Sequence, residues 1–544
     1  MNTRQLQTDK NQKLYHALLG ILLVCALAMM MLLSYWACKY SYYGAVDGRT
    51  RGVLVGDKTW AHIAVFLAAS LCAMGIDKVL MKKDKSQQEK ICLCTLIVTS
   101  VIAFILGVFY VCKNPYYPVG DQINTTAFAA YCRDGNFSML SIGGYVGMYQ
   151  QQKGLAILYE ILFTLFGDFN YRPAKILHVV WWILTILAGY GFLKLNTDRP
   201  VFRMLYCVMM LGCFPLLFYL PYIYGDVLSI SFGIILFYGV TAYEHSGQKR
   251  YIALASFAAG LAVLARKNTW IVLVAVAVYV LLVSLRKKKV RYLMAGTAIL
   301  LTAALSVKAV DVIYEVRSGY PSGVGIPSIL WVAMGLQETE GRAGVYNRYQ
   351  QATFTDYDCQ QELAAQQGKE YIRERLEEFS QDPGMAFNFF KNKVEGQWIE
   401  PMYAALESTE SFEEGAELSP VLESLYYGEL GRTIWKLTNY YQSILYLAGL
   451  MALVMLGILW WKKKEVPISL WLPWIAVFGG FLFSILWEAK SRYVFPYCVF
   501  MILYAPEGLY QTGLLLCKLP KLRKFKKSGH TQDKGEEASL RETA

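Results

Sequence analysis

Charge is scarce in this 544-residue chain: 17% of its residues are charged, against 55% hydrophobic. That balance excludes an ordinary soluble globular fold, in which about 25% of residues are charged. Histidine is scarcer still, with 5 scattered copies, and neither a CxxC nor an HExxH spacing occurs, so no bound metal and no cofactor is expected. Most of the 12 cysteines fall inside apolar runs, where a thiol acts as a small apolar filler. Cys38, Cys132 and Cys359 fall in connecting loops, and spacing alone cannot pair them. The absence of GxGxxG and of a P-loop removes the nucleotide-binding folds. No basic groove interleaved with aromatics is present, which removes nucleic acid as a partner. The first apolar run is too long for a secretory signal and lacks a small-residue cleavage site, so it is expected to stay as an anchor. No internal repeat is found.

What the chain has is long apolar runs. A run of about 20 uncharged residues, folded as a helix, satisfies its own backbone and crosses a hydrocarbon core. The expected fold is therefore an all-α polytopic membrane protein with about twelve transmembrane helices, at 14–36, 60–81, 91–112, 173–195, 203–223, 225–243, 250–265, 269–285, 290–311, 439–461, 466–487 and 493–512. The run 154–167 is short and carries Glu160, so it reads as re-entrant or interfacial. With the N-terminus inside, the basic clusters "RKKKVR", "WKKKE" and "KLPKLRKFKK" all fall on the cytoplasmic side, as short cytoplasmic loops require. Both termini are then cytoplasmic. One large connecting region, 312–434, carries 20 acidic against 9 basic residues and is expected outside, so the excess of base elsewhere reads as anchoring to anionic membrane lipids.

In this topology the charges near membrane level gather on the extracytoplasmic face. "NPYYPVGDQ" supplies Asp121, "GDFNYRPAKI" supplies Arg172 and "PYIYGDVLSISF" supplies Asp226. "LARKNTW" supplies Arg266 and Lys267, and "EAKSRYVFPY" supplies Glu488, Lys490, Arg492 and Tyr493. Each has a plainer reading. Lysines and arginines at helix ends snorkel to the interface, Asp121 follows Pro118 and Gly120 as a turn residue would, and Glu488 and Arg492 are spaced for an i,i+4 ion pair. Asp226 is harder to dismiss, because an ionisable group between two apolar stretches is costly without a partner or a task. Taken together, two carboxylates and several cations suit an anionic, phosphate-bearing substrate handled beside a base.

These stretches, in this order, resemble the GT-C class of integral-membrane glycosyltransferases, close to the protein O-mannosyltransferase and aminoarabinose transferase type. "YYPVGDQ" fills the acidic position of the first long loop, and "LFGDFNYRPAKIL" looks like the family's approach to its next span. "PYIYGDVLSISF" fills the second acidic position, "GLAVLARKNTW" is similar to a helix end with a closing Lys, and "EAKSRYVFPY" looks like the closing E-x-K-x-R-Y-x-x-P-Y pattern, the most specific of the five. The resemblance covers roughly 91–510. It implies a first catalytic loop at 113–172 within a core of 91–311, an extracytoplasmic region at 312–434, closing helices at 435–512 and a cytoplasmic tail at 513–544. The two helices of 1–90 fall outside the shared core. Where the family often has paired acids, Gln122 follows Asp121.

The activity implied is inverting transfer of a sugar from a polyprenyl-phosphate lipid to a glycan, lipid or protein acceptor on the extracytoplasmic face, in a bacterial cell membrane. Asp121 would be the general base, and Asp226 would bind acceptor or hold a cation. Arg492, Lys490, Arg266, Lys267 and Arg172 would bind the donor phosphate, with Glu488 orienting Arg492 and Tyr493 in support. A transporter or flippase of lipid-linked sugars would gather similar charges. Against it stand a site at one face, no pair of Gly- or Pro-broken helices marking a repeat-related site, and one large asymmetric region. A glycan polymerase or ligase of another fold would share the lipid-phosphate logic.

Within 312–434, a charged helix is expected to end near Asp382-Pro383, followed by an amphipathic helix with Phe387, Phe390, Val394 and Trp398 on one stripe. That stripe packs either on the rest of the region or at the membrane interface, walling a lipid entrance. "YPSGVGIPSILWVAMGLQ" is expected to be a loop reaching toward the site, and 404–424 to be mobile. The tail beyond Lys518 is expected to be disordered.

Overall fold

The computed structural model of the protein describes the backbone of residues 3–43, 52–462, 464 and 466–518, with side chains from Tyr15 onward. The tail expected to be disordered lies outside these residues. Helix α1 (Thr3–Lys39) runs into an antiparallel hairpin of β1 (Tyr40–Tyr43) and β2 (Val53–Gly56), followed by α2 (Thr59–Leu80) and α3 (Lys85–Lys113). A loop section follows with α4 (Asp121–Arg133), α5 (Tyr145–Met148) and α6 (Lys153–Phe166). The central helices are α7 (Arg172–Asn196), α8 (Pro200–Leu211), α9 (Phe214–Phe218), α10 (Asp226–Ser246), α11 (Lys249–Ala265), α12 (Trp270–Lys287) and α13 (Arg291–Ser318). A second loop section holds α14 (Ile329–Gly335), the small hairpin β3 (Glu338–Thr339) and β4 (Arg342–Ala343), α15 (Tyr349–Asp356), α16 (Gln361–Gln381), α17 (Pro383–Trp398), α18 (Ala405–Ser408) and α19 (Pro420–Tyr427). The chain closes with α20 (Glu429–Trp461), α21 (Leu472–Leu486), α22 (Ser491–Met501) and a helical stretch at 505–518.

Among the described residues, nine helices are long and apolar enough to cross a membrane: α1, α2, α3, α7, α10, α12, α13, α20 and the segment containing α21. The protein is thus an all-α, multi-pass membrane protein. Apolar side chains face outward as lipid requires: Leu93, Ile97, Val101, Ile105 and Phe109 line one exposed face of α3. Local signals set the ends. Asp84 accepts the Gln87 N–H at 2.8 Å to cap α3, and Gly247 takes a left-handed conformation (φ 69°) to close α10.

Of the other three expected spans, two are broken, and the third, 250–265, forms one helix as expected but a short one. The segment 203–223 is broken, because α8 stops at Leu211 and α9 restarts with Pro215 in its first turn. Pro215 lacks an N–H, and its ring would strike the Leu211 carbonyl four residues back. The segment 493–512 breaks in the same way: α22 ends at Met501, the chain turns, and helix resumes around Pro506, whose ring would oppose Ile502. Helix α11 is continuous but only 17 residues long, about 26 Å at 1.5 Å per residue. Two segments expected to be continuous spans are therefore Pro-broken. Both breaks are covered by protein, since Cys213, Tyr219, Leu220, Ile502, Leu503 and Tyr504 are all buried. Irregular backbone is tolerated at membrane depth where protein buries it in this way.

Packing centres on α10, which lies between α7 and α11; α11 leans on α13, and α12 on α13 and α21. The first two helices pack on α20. Helix α8 is tied to α2 and α3 by Arg199 to Asp77 (3.2 Å) and Arg203 to Glu89 (2.5 Å). Helix α6 is, as expected, too short to span, and its buried Glu160 pairs with Arg317 at 2.7 Å and accepts the Tyr314 hydroxyl at 3.1 Å. In the second loop section, Asp382 caps α17 by accepting the Met385 N–H at 2.9 Å. The expected apolar stripe of α17 is only half right: Phe387 is 67% exposed, whereas Phe389, Lys393, Val394, Gln397 and Trp398 are buried. Helix α17 therefore sinks its C-terminal half into the protein, where Trp398 Nε1 donates to Ser484 Oγ at 3.0 Å. The segment expected to be mobile begins packed: Ala404, Ala405 and Thr409 are buried, and Phe412 bridges to Tyr116. Beyond it, Glu413, Glu414 and Glu417 are exposed.

Candidate functional site

The site forms where four chain reversals meet, and the closest approach is made by a glycine. A Cβ at Gly225 would lie 2.0 Å from the Ala265 carbonyl oxygen, so only glycine lets the start of α10 touch the end of α11. That approach sets Asp226, the first residue of α10, beside Arg266, which leaves α11 in extended conformation (φ −150°, ψ 123°). The Arg266 guanidinium donates to Asp226 Oδ2 at 3.3 Å. From the opposite side Arg492 brings Nε to 3.9 Å from Asp226 Oδ1. That Nε is buried without a hydrogen-bond partner, so Arg492 neutralises charge there without completing a bond.

Both guanidinium groups lie over tyrosine rings. Arg492 sits 5.1 Å from the Tyr222 centroid and 5.3 Å from Tyr224; Arg266 sits 5.0 Å from Tyr224 and 5.4 Å from Tyr493. Such contacts contribute roughly 0.5–2 kcal/mol each and fix the plane of the cation. The Tyr224 hydroxyl accepts from Gln152 Nε2 at 2.5 Å, tying the cluster to the first loop section. Asp121 joins from there. It opens α4 after Gly120, whose φ of 58° with ψ of −126° suits glycine alone, and its exposed carboxylate accepts the Tyr145 hydroxyl at 2.8 Å. Burial, then the Tyr224 and Asp121 neighbours, pushes the Tyr145 phenol well up, so it stays a donor. The Asp121 charge also acts on Tyr224, Tyr493 and Glu488. Asp121 and the Asp226 cluster therefore share one end of the helix bundle.

Glu488 behaves differently from the expectation. Residues 488–490 are not helical, with Lys490 extended at φ −153° and ψ 128°, so the i,i+4 pair with Arg492 does not form. Arg492 turns to Asp226, and Glu488 instead accepts the Tyr493 hydroxyl at 3.3 Å. Burial pushes the Glu488 carboxyl up; Lys490 opposes this and Asp121 reinforces it. The Ala489 N–H donates to Gly344 O at 2.7 Å, holding this stretch against the second loop section. Behind it lies Lys393, buried on α17, with Nζ bonded to the Gly335 carbonyl; burial pulls its pKa down to about 7, with Glu488 opposing. Lys490 exerts its charge on both Asp226 and Glu488. Among the described residues, neither Lys490 nor Lys267 has a carboxylate within ion-pairing distance. Arg172 stands apart: it is exposed in the first turn of α7, and its charge bears on Lys175.

Two cavities open beside the cluster. The smaller, about 120 Å³, is walled by Trp331, Trp487, Tyr493, Lys267 and Glu488. The larger, about 330 Å³, shares Gln151, Lys267, Ile326 and Ser328 with it. It runs between an apolar wall of Val263, Leu264, Val307 and Val310 and a polar wall that includes Lys153, held by Asp311 at 2.5 Å. The segment expected to be a loop reaching the site is half helical: Ile326 and Ser328 line the cavity from the loop, and Trp331 from α14. Sequence reasoning missed Tyr145, Gln152 and Lys393. Tyr224, two residues before Asp226, was the one with a visible signal. Among the described residues, no three His, Cys, Asp or Glu side chains converge as a metal site would need, and Gln122 turns inward, accepting the Tyr116 hydroxyl. No protein-family model matches the chain, and no curated protein or solved structure matches it either.

Proposed function

We propose that the chain is a glycosyltransferase that moves a sugar from a polyprenyl-phosphate donor to an acceptor hydroxyl on the extracytoplasmic face of the cell membrane, with inversion. The observation that carries this reading is a solvent-exposed carboxylate, Asp121, held by Tyr145, at the same end of the bundle as a largely buried Asp226–Arg266–Arg492 cluster over Tyr224, which Gln152 ties to the first loop section. In the reaction a bond forms between the acceptor oxygen and the anomeric carbon. The bond from that carbon to the phosphate oxygen breaks, and its electron pair leaves with the phosphate. The acceptor proton passes to Asp121, which is accessible as a general base must be. The charge developing on phosphate is met by Arg266, Lys267, Lys490 and Arg492, of which the two arginines are held in place by Asp226 and the tyrosine rings. Asp226 positions two of these cations without quenching all four. The apolar wall of the larger cavity suits the lipid chain, and the shared Lys267 suits the phosphate. Arg172, exposed and apart, has the weakest support of the five proposed phosphate ligands.

The test is transfer by purified protein in detergent, with polyprenyl-phosphate sugars and candidate acceptors, comparing wild type with Asp121→Asn. Transfer undiminished by the substitution removes Asp121 as base. The two Pro-broken helices favour a second reading, a lipid-linked sugar transporter, because broken helices line many transport sites. Their breaks at 212–213 and 502–504 line neither cavity. Lipid movement in vesicles without any transfer would decide for the transporter.

A further inference from the structure

The smaller cavity has an aromatic wall that the phosphate chemistry does not use. Trp331 and Trp487 lie parallel within 4°, their centroids 5.9 Å apart. Tyr149 meets Trp331 edge-on at 6.2 Å, Tyr145 meets Tyr149 at 5.1 Å, and Phe483 stacks on Trp487 at 5.0 Å. Trp331 and Trp487 line the cavity, and the aromatic contacts continue behind them to the tyrosine that holds Asp121. Facing it are Gln151, Asn268 and Ser328, whose side chains make no hydrogen bond to another described residue. Gln151 and Ser328 are exposed and Asn268 is half-buried, so all three are open to a ligand entering the cavity.

We propose that this cavity is a saccharide subsite, in which one pyranose ring lies against the Trp331–Trp487 pair while its hydroxyls bond Gln151, Asn268, Ser328 and Glu488. The inference rests on the glycosyl-transfer reading and narrows it. The face of an aromatic ring carries negative charge, and the axial C–H bonds of a pyranose present a face that is apolar and slightly positive. A hydroxyl donates and accepts at once, as an amide side chain does, so Gln151 and Asn268 match adjacent hydroxyls. A lipid chain offers these amides no hydrogen-bond partner, whereas a hydroxylated ring does. Lys267, shared with the larger cavity, puts the ring next to the proposed phosphate position. The ring is thus either the sugar of the donor lipid or the terminal sugar of a glycan acceptor.

The experiment is saturation-transfer NMR on full-length protein in nanodiscs, in two arms. One arm uses methyl glycosides of neutral hexoses and N-acetylhexosamines; the other uses a short-chain polyprenyl-phosphate hexose. Saturation of ring C–H protons is expected in at least one arm, the glycoside arm marking an acceptor subsite and the lipid arm alone a donor subsite. Trp331→Ala and Trp487→Ala are each expected to weaken that binding about ten-fold, with Trp331→Phe retaining part of it. If either alanine variant fails to fold, Asn268→Ala, which leaves the stacking intact, replaces it and is expected to weaken binding several-fold. No saturation in either arm, or saturation that these substitutions leave unchanged, overturns the proposal. Ring binding that depends on the tryptophans while wild type transfers no sugar would sink the transferase reading and leave the subsite standing. Transfer indifferent to the tryptophans would do the reverse.

Discussion

Replacing Asp226 by Asn keeps its volume and removes its charge, which leaves two guanidinium groups facing each other across a buried site. At an effective dielectric of about 20, charges 3.3 and 3.9 Å apart attract by roughly 5 and 4 kcal/mol respectively. The substitution also removes the carboxylate's own desolvation penalty, several kcal/mol, so the net loss is smaller than the sum of those attractions. Breaking a buried pair by removing one partner costs about 3–5 kcal/mol in general, and that is the expected net here. In a chain of this size such a loss lowers Tm by on the order of 5 °C, since the shift per kcal/mol shrinks as domains grow. The assay is thermal unfolding in detergent, followed by the transfer assay at a temperature where both proteins are folded. Asp226→Asn is expected to be less stable and nearly inactive, because Arg266 and Arg492 lose the group that aims them. Adding Arg266→Met should cost less than it does in wild type, since one of the two uncompensated cations goes with it. An Asp226→Asn protein with unchanged Tm and full transfer would refute the cluster as the core of the site.

Asp121→Asn is expected to lower kcat about 10²–10⁴-fold with little change in Tm, because the carboxylate is exposed and an amide oxygen can still accept the Tyr145 hydroxyl; a large fall in Tm would mark it as structural. Gly225→Ala is expected to prevent assembly of the α10–α11 contact, with its Cβ 2.0 Å from a carbonyl oxygen, whereas Gly56→Ala, which meets nothing within 4 Å, leaves expression and Tm unchanged. Lys393, drawn from its ordinary 10.5 down to about 7, holds fewer protons folded than unfolded between those values, so stability rises with pH across that window. Lys393→Met should abolish the rise, as read by Tm at successive pH values. Glu400, buried and pushed from 4.5 up to about 8 by burial and then by Glu407, holds its proton longer when folded, so stability falls as pH climbs through that range. Glu400→Gln should remove the fall.

Much of the outline was legible in order along the chain. Hydropathy alone placed the nine long helices, because in lipid a helix must satisfy its own backbone and cover it with apolar side chains. The Asp382-Pro383 break between α16 and α17 was equally local, a capping carboxylate followed by a residue that cannot extend the preceding helix. Errors arose where a local rule met a tertiary contact. Pro215 and Pro506 sat inside long apolar runs and were read through. The Glu488–Arg492 pair assumed a helix that the chain does not form, because Ala489 is drawn into a hydrogen bond with Gly344. Phe387 completed an apolar period yet faces outward, since only the C-terminal half of α17 enters the protein.

The amino-acid order determined that this chain lives in a membrane and which short stretches carry charge near its surface, since burial of a charge or an amide in hydrocarbon is penalised whatever the fold. Which charges meet was decided by tertiary structure alone. Gly225 lets α10 close on α11 only when both are folded, and that contact gives Asp226 to Arg266. Tyr145, Lys393 and Gln152 acquire their places through partners 24, 58 and 72 positions away. No periodicity encodes such pairings, because the forces that select them act between surfaces that exist only after the helices have packed.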